Sequence, residues 1–261
     1  MTRRLVLVRH GQTEWNSVGR AQGHADISLD ATGHAQAAAA APYLAAMRPV
    51  RLWSSDLARA QETAAYVAEA SGLSIETDRR LREYDVGVRS GLTVAEFEAR
   101  HPREYAAWLA HDESLLVEGE ESSTLVRERV LPALTDCLEA LRAGETGIVV
   151  MHGACLRVGL LAVLGWPPET SRGLRGMDNC GWTVLGDHEI FGGLRMVSYN
   201  ETASVGQHPD RAAGSFETDH DASRSAPVLV DRRQPPRTSM PDIASSPATE
   251  LGDFASDEAV G

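Results

Sequence analysis

Two short aliphatic runs constrain this chain most, because both end in the same dipeptide. Leu5-Val6-Leu7-Val8 runs into Arg9-His10-Gly11, and Gly147-Ile148-Val149-Val150-Met151 runs into His152-Gly153. Apolar runs of this length, rich in β-branched residues, read as buried strands of a parallel sheet. In open α/β sheets, ligands bind beyond the carboxyl ends of such strands. If the two strands are neighbours, two imidazoles and Arg9 meet at one edge of the sheet.

The intervening chain alternates strand and helix signals. Asp30 or Thr32 starts an alanine-rich helix to about Met47, with a kink or early break expected at Pro42. A short strand at Arg51–Ser54 ends in Ser54-Ser55-Asp56, which reads as cap chemistry for the helix from Leu57 to Ser71. Ile75–Thr77 is a further short strand, leading into the loop from Leu81 to Gly91. Thr93 caps a helix to about Arg100, and another surrounds Tyr105–His111. Ser122 opens a long amphipathic helix with Leu125, Val126, Val130, Leu134, Leu138 and Leu141 on its core side. Trp182–Leu185 and Leu194–Ser198 are the last two strands. This alternation predicts an α/β fold, a three-layer α/β/α sandwich on a mostly parallel central sheet, over residues 1–200.

From about Glu201 the character changes: half of the twelve prolines fall in residues 201–261, with abundant Ser, Asp and Ala. Such a segment buries too little apolar surface to offset its ordering entropy, so a disordered tail is expected, with Val228-Leu229-Val230 able to dock. The net charge of −12 argues against nucleic acid or an anionic membrane as partner. Three cysteines without CxxC spacing fit a reducing compartment. No apolar stretch approaches the length of a membrane span, so a cytoplasmic location is expected.

Within this acidic chain, an anion must be held by a local cluster of arginines. Arg59, in the first turn of the helix after the second strand, can face the pocket of Arg9, His10 and His152. Two arginines and two histidines suit a tetrahedral dianion, because guanidinium forks match phosphoryl oxygens. A neutral imidazole is a competent nucleophile at phosphorus. Glu83 is the candidate acid for a leaving alcohol; the competing reading pairs it with Arg79, Arg80 or Arg82. The sequence shows neither HExxH nor paired Asp spacing, so no metal or other cofactor is expected.

These motifs resemble the histidine phosphatase superfamily, with its phosphoglycerate mutase-like fold, across nearly all of residues 3–200. Arg9-His10-Gly11-Gln12-Thr13-Glu14-Trp15-Asn16 looks like the family signature, and Arg20-x-Gln22-Gly23-x-x-Asp26-x-x-Leu29-x-x-x-Gly33 like the stretch that follows it. Ser54–Ala64 is similar to the second arginine motif, and Leu81-Arg82-Glu83 with Gly87 and Gly91 to the acid loop. Glu121-Ser122 is similar to the turn before the long helix, and His152-Gly153 with Arg157 to the second histidine motif. The resemblance implies His10 as the phosphorylated nucleophile and Glu83 as proton donor. It implies a phosphate pocket of Arg9, Arg59 and His152, with Asn16 at the rim and the Gln22-Gly23 and Gly153-Ala154 backbones on its other side.

The chain from Glu83 to Glu121 is short and lacks the mutase pattern, so phosphatase is expected over mutase, with a non-catalytic phospho-ligand binder as a third reading. Met177–Leu185 resembles a group that includes glucosyl-3-phosphoglycerate phosphatases, which implies a small phosphorylated metabolite as substrate. Family members are often dimers, so a homodimer is implied as well. Arg89 stands where many relatives carry Trp. It reads either as a cation beside the leaving group or as a solvent-facing residue on a repacked loop.

Overall fold

The computed structural model describes residues 2–190 and 192–203. The tail that composition sets apart lies, from residue 204 onward and with Val228-Leu229-Val230, outside the described residues. In chain order the elements are β1 (Arg4–Arg9), α1 (Glu14–Ser17), α2 (Ala31–Ala46), β2 (Arg51–Ser54), α3 (Ala58–Ser71) and β3 (Ile75–Thr77). They continue with α4 (Val94–Arg100), α5 (Pro102–Leu109), α6 (Ser123–Glu139), β4 (Thr146–Met151), α7 (Gly153–Leu164), β5 (Trp182–Asp187) and β6 (Leu194–Glu201).

The six strands form one sheet in the order β3-β2-β4-β1-β5-β6. The four from β3 to β1 run parallel, whereas β5 and β6 pair antiparallel, so the sheet is mostly parallel. β1 and β4 are neighbours, with Arg9 opposite Met151. The next residue of each strand is therefore a histidine, and the two leave the sheet side by side.

Strand alternation divides the core in two. Leu5, Leu7, Val149 and Met151 pack with Val126, Val130 and Leu134 of α6 and Leu156 and Leu160 of α7. Val6, Val8, Ile148 and Val150 pack on the other face with Ala37, Ala40 and Leu44 of α2 and Ala60, Ala64 and Val67 of α3. This is the three-layer α/β/α architecture. A Cβ on Gly33 would stand 2.0 Å from the Gln12 carbonyl oxygen, so glycine is what lets the start of α2 press on the loop behind His10.

Three local expectations fail for identifiable reasons. α2 runs unbroken through Pro42; both Pro42 and Ala38, whose carbonyl loses its helical donor, lie on the exposed face where water can replace the bond. Asp56 does not cap α3, whose N-cap Leu57 has no side-chain bond. The Ala58 N–H is taken instead by Asp26 at 2.7 Å, while Asp56 pairs with Arg82. Leu125 is about half exposed, and the core face of α6 begins at Val126. The capping assignments of Asp30, Thr93 and Ser122 hold. Cys137, Cys155 and Cys180 are buried, and burial pushes the Cys137 and Cys180 thiols up to about 12. Among the described residues no helix is long and apolar enough to cross a membrane.

Candidate active site

The site is assembled at the carboxyl ends of β1, β2 and β4. His10 follows β1 and is buried; its Nδ1 lies 2.7 Å from the Gly11 carbonyl. A carbonyl can only accept, so Nδ1 carries the proton and Nε2 presents its lone pair. The His10 backbone is held by the Met151 carbonyl at its N–H and by the Asn179 side chain and Cys180 N–H at its carbonyl. His152 follows β4, with ring centroids 5.1 Å apart between the two imidazoles.

Arg59 lies in the first turn of α3, and its burial is nearly complete. Its Nε donates to His152 Nδ1 at 3.1 Å, its Nη1 to the Ala25 carbonyl and its Nη2 to the Gly23 carbonyl, both at 2.8 Å. His152 Nδ1 is thereby an acceptor, which places the proton of a neutral ring on Nε2, 2.9 Å from Ser55 Oγ. Arg9, also buried, donates from Nη1 to the Met177 carbonyl. Thr63 links the two halves: its hydroxyl donates to the Arg59 carbonyl and accepts the Gly11 N–H.

Both imidazoles stay neutral well below the ordinary value of 6.5. For His10 burial is the main cause, followed by the Arg59 and Arg9 charges; for His152 it is burial and then Arg59. Unfolding releases both rings to titrate normally. Below about pH 6.5 the unfolded chain then binds protons that the folded chain refuses, so stability falls as pH drops toward the folded-state values. The slope approaches about 1.4 kcal/mol per pH unit for each ring. Melts between pH 7.5 and about pH 5 are expected to show this decline, and His10→Asn to lessen it; an unchanged decline in that variant would remove His10 as a cause.

Glu83 is buried, and the three arginines next to it in sequence turn elsewhere: Arg82 and Arg79 to Asp56, and Arg80 to Asp78 and Asp136. Its carboxylate instead lies on the N-terminus of α7. Oε2 accepts the Ala154 N–H at 3.0 Å, and Oε1 accepts those of Cys155 and Tyr84 at 2.8 and 2.9 Å. A helix N-terminus favours an anion in this position. The Ala154 N–H, expected to face phosphate, is thus engaged with Glu83; the Gly153 N–H is not engaged by it.

Asn16 uses Oδ1 to accept from the Thr13 N–H and hydroxyl and, at 3.4 Å, from Asn179. Gln22 is buried, and its Oε1 has no hydrogen-bond partner among the described residues. The Gln22 and Gly23 carbonyls turn to the Ala25 N–H and to Arg59, so this backbone reaches the site through Arg59. Gly23 has φ +52° and abuts Val86, where a Cβ would come within 2.6 Å of the Val86 side chain.

Arg89 fits neither sequence expectation. It is only 4% exposed, its guanidinium stacked 5.2 Å from the Phe97 ring and 5.4 Å from that of Trp108, with Nη1 3.5 Å from Glu120. A cavity of about 450 Å³ opens beside the acid, lined by Tyr84 and Ala154 as well as by Trp108, Glu120, Arg127, Arg157, Trp166 and Arg172. Arg89 is not among the lining residues, but Trp108 and Glu120, which it contacts, are. Sequence reasoning did not find Ser55, Thr63 and Asn179 as supports of the histidines. Ser55 alone carried a signal, since it follows β2 as His10 follows β1.

Comparisons with known proteins give the chain its family. The model of the histidine phosphatase superfamily, branch 1, matches residues 5–202. A glucosyl-3-phosphoglycerate phosphatase of Mycolicibacterium vanbaalenii is 37% identical over 192 residues, covering 71% of this chain and 85% of that protein. A probable phosphoglycerate mutase of Yersinia enterocolitica is 38% identical over 181 residues, 67% of this chain and 81% of that one. The solved structure of mycobacterial glucosyl-3-phosphoglycerate phosphatase in complex with VO3 superposes with a TM-score of 0.70 at 35% identity, covering 77% of this chain and all of that one. A buried His-Arg pocket at the strand ends of a mostly parallel sheet thus sits in a chain that belongs to the histidine phosphatase superfamily. It is a phosphomonoester hydrolase.

Proposed function

We propose that hydrolysis proceeds by two displacements at phosphorus. His10 Nε2 attacks the phosphoryl group, and Glu83 gives a proton to the leaving alcohol. Water, activated by the Glu83 carboxylate so formed, then releases phosphate from His10. The three N–H donors on Glu83 suit its base form, which is the form needed in the second step. Arg9 and Arg59 neutralise the equatorial oxygens, His152 donates from Nε2 after turning from Ser55, and Asn16 donates from its amide nitrogen at the rim. The observation that carries this reading is the in-register pairing of β1 and β4, which sets the His10 lone pair beside His152 and two buried arginines.

For the substrate we propose a glucosyl-3-phosphoglycerate or a phosphoester of that shape, processed in the cytosol. The cavity beside Tyr84 and Ala154 is large enough for a sugar, with Trp108 and Trp166 to meet its faces. Glu104, Asp112, Glu113, Glu120 and Glu169 are there to accept from its hydroxyls, and Arg127, Arg157 and Arg172 for a carboxylate. Steady-state kinetics in EDTA over sugar, glycerate and nucleotide phosphoesters test this. The highest kcat/KM is expected on glucosyl-3-phosphoglycerate. A flat profile, or a better nucleotide substrate, would overturn the assignment. Faster interconversion of phosphoglycerates than phosphate release would favour the mutase reading that the Yersinia relative's name suggests.

A further inference from the structure

The acid loop is held from behind by an ion pair that the reaction scheme leaves unused. Arg129, on α6, donates from Nη1 to the carbonyls of Arg80 and Arg82 at 2.9 and 2.7 Å, and from Nη2 to the Glu83 carbonyl at 2.8 Å. The same guanidinium grips Glu121 through Nε and Nη2, at 2.9 and 2.7 Å. Glu121 Oε2 in turn accepts the Asp85 N–H at 2.8 Å, and the Glu121 N–H donates to the Asp85 carbonyl at 2.9 Å. The backbone on both sides of Glu83 is therefore fastened to one Arg–Glu pair. His24 adds a second donor, its Nε2 lying 2.8 Å from the Glu83 carbonyl.

We infer that Arg129, oriented by Glu121, is the positioning residue that aims the proton donor. The inference rests on the proposed role of Glu83 as acid. A side chain on a free loop would sample many rotamers, and a displacement of about 1 Å at a reacting group can cost on the order of 10²-fold in rate. Here the main chain of residue 83 is fixed by Arg129, and its carboxylate is aimed onto the first turn of α7. All five Arg129 N–H groups are taken by backbone carbonyls of the loop or by Glu121, so it acts through Glu83 and not on substrate. The planar fork is what reaches three carbonyls and a carboxylate at once, a task for which a lysine ammonium is a poor substitute.

A positioning role predicts a dependence on the leaving group that a purely structural role does not. The full chain carrying Arg129→Met, Arg129→Lys or Glu121→Gln is compared with wild type and Glu83→Gln on two esters. One is p-nitrophenyl phosphate, whose leaving phenolate needs no proton. The other is glycerol 2-phosphate, whose alkoxide needs one. Arg129→Met is expected to lose roughly 10²-fold in kcat/KM on the alkyl ester and only a few-fold on the aryl ester, because kcat/KM ends at departure of the alcohol and leaves out the hydrolysis step common to both. Arg129→Lys and Glu121→Gln are expected to fall between it and wild type. If Arg129→Met fails to fold, those two variants, which keep a charge or a hydrogen-bonding shape, supply the same comparison. Equal losses on both esters, or none, overturn the inference. An equal loss on both esters for Glu83→Gln overturns the acid role itself, which the Arg129 variants alone cannot do.

Discussion

Replacing His10 with alanine is expected to lower kcat on the order of 10⁴-fold or more while the chain stays folded. The loss is large because the first bond made to phosphorus is to His10 Nε2, and neither arginine can replace a nucleophile. The fold survives because the backbone of residue 10 stays held by the Met151 carbonyl, Asn179 and Cys180. The side chain forfeits one hydrogen bond, to the Gly11 carbonyl, worth about 1 kcal/mol. Turnover of p-nitrophenyl phosphate and a thermal melt at neutral pH check both halves. Turnover within tenfold of wild type would remove His10 from the reaction.

Glu83→Gln is expected to act selectively. On an alkyl phosphate the loss in kcat/KM, which ends at departure of the alcohol, should reach about 10²–10⁴-fold, the ordinary contribution of a general acid, with a loss of less than about tenfold on an aryl phosphate. A melting-temperature loss should accompany it. The carboxylate accepts N–H groups at both oxygens, and an amide can accept at only one, so its NH₂ would meet either the Ala154 N–H or those of Cys155 and Tyr84. One buried donor is then left facing another, at a cost of about 1–3 kcal/mol. A variant as stable and as selective as wild type would contradict both the geometry and the role.

What could be read from the sequence divides by range. Only the sheet order supplies the adjacency of β1 and β4 that brings His10 to His152, whereas the buried strands themselves followed from composition and periodicity over a few residues. The same holds for the caps at Asp30, Thr93 and Ser122. The failures at Pro42 and Leu125 are matters of local exposure, whereas those at Asp56 and Arg89 depend on partners elsewhere in the chain. Asp56 carries the residue type of a cap, yet Asp26 takes that N–H and Arg82 takes Asp56. Arg89 was legible as an anomaly but not in its direction. Its burial depends on Phe97 of α4, Trp108 of α5 and Glu120 ahead of α6, which only the fold brings over it. Glu83 was legible as an acid, whereas its seat on α7 required knowing that residues 83 and 154 touch. Arg129, on α6, carries no local signal of its role, because backbone carbonyls leave no mark in a sequence.

The central claim is that the phosphoryl group passes through His10. Rapid mixing with phosphorus-labelled substrate, quenched in alkali where phosphohistidine survives, tests it directly. One phosphoryl group per chain is expected on His10 within the first turnover, formed before phosphate is released and absent from His10→Ala. Phosphate released at the full rate with no labelled chain at any time would mean direct attack by water, and would contradict the mechanism.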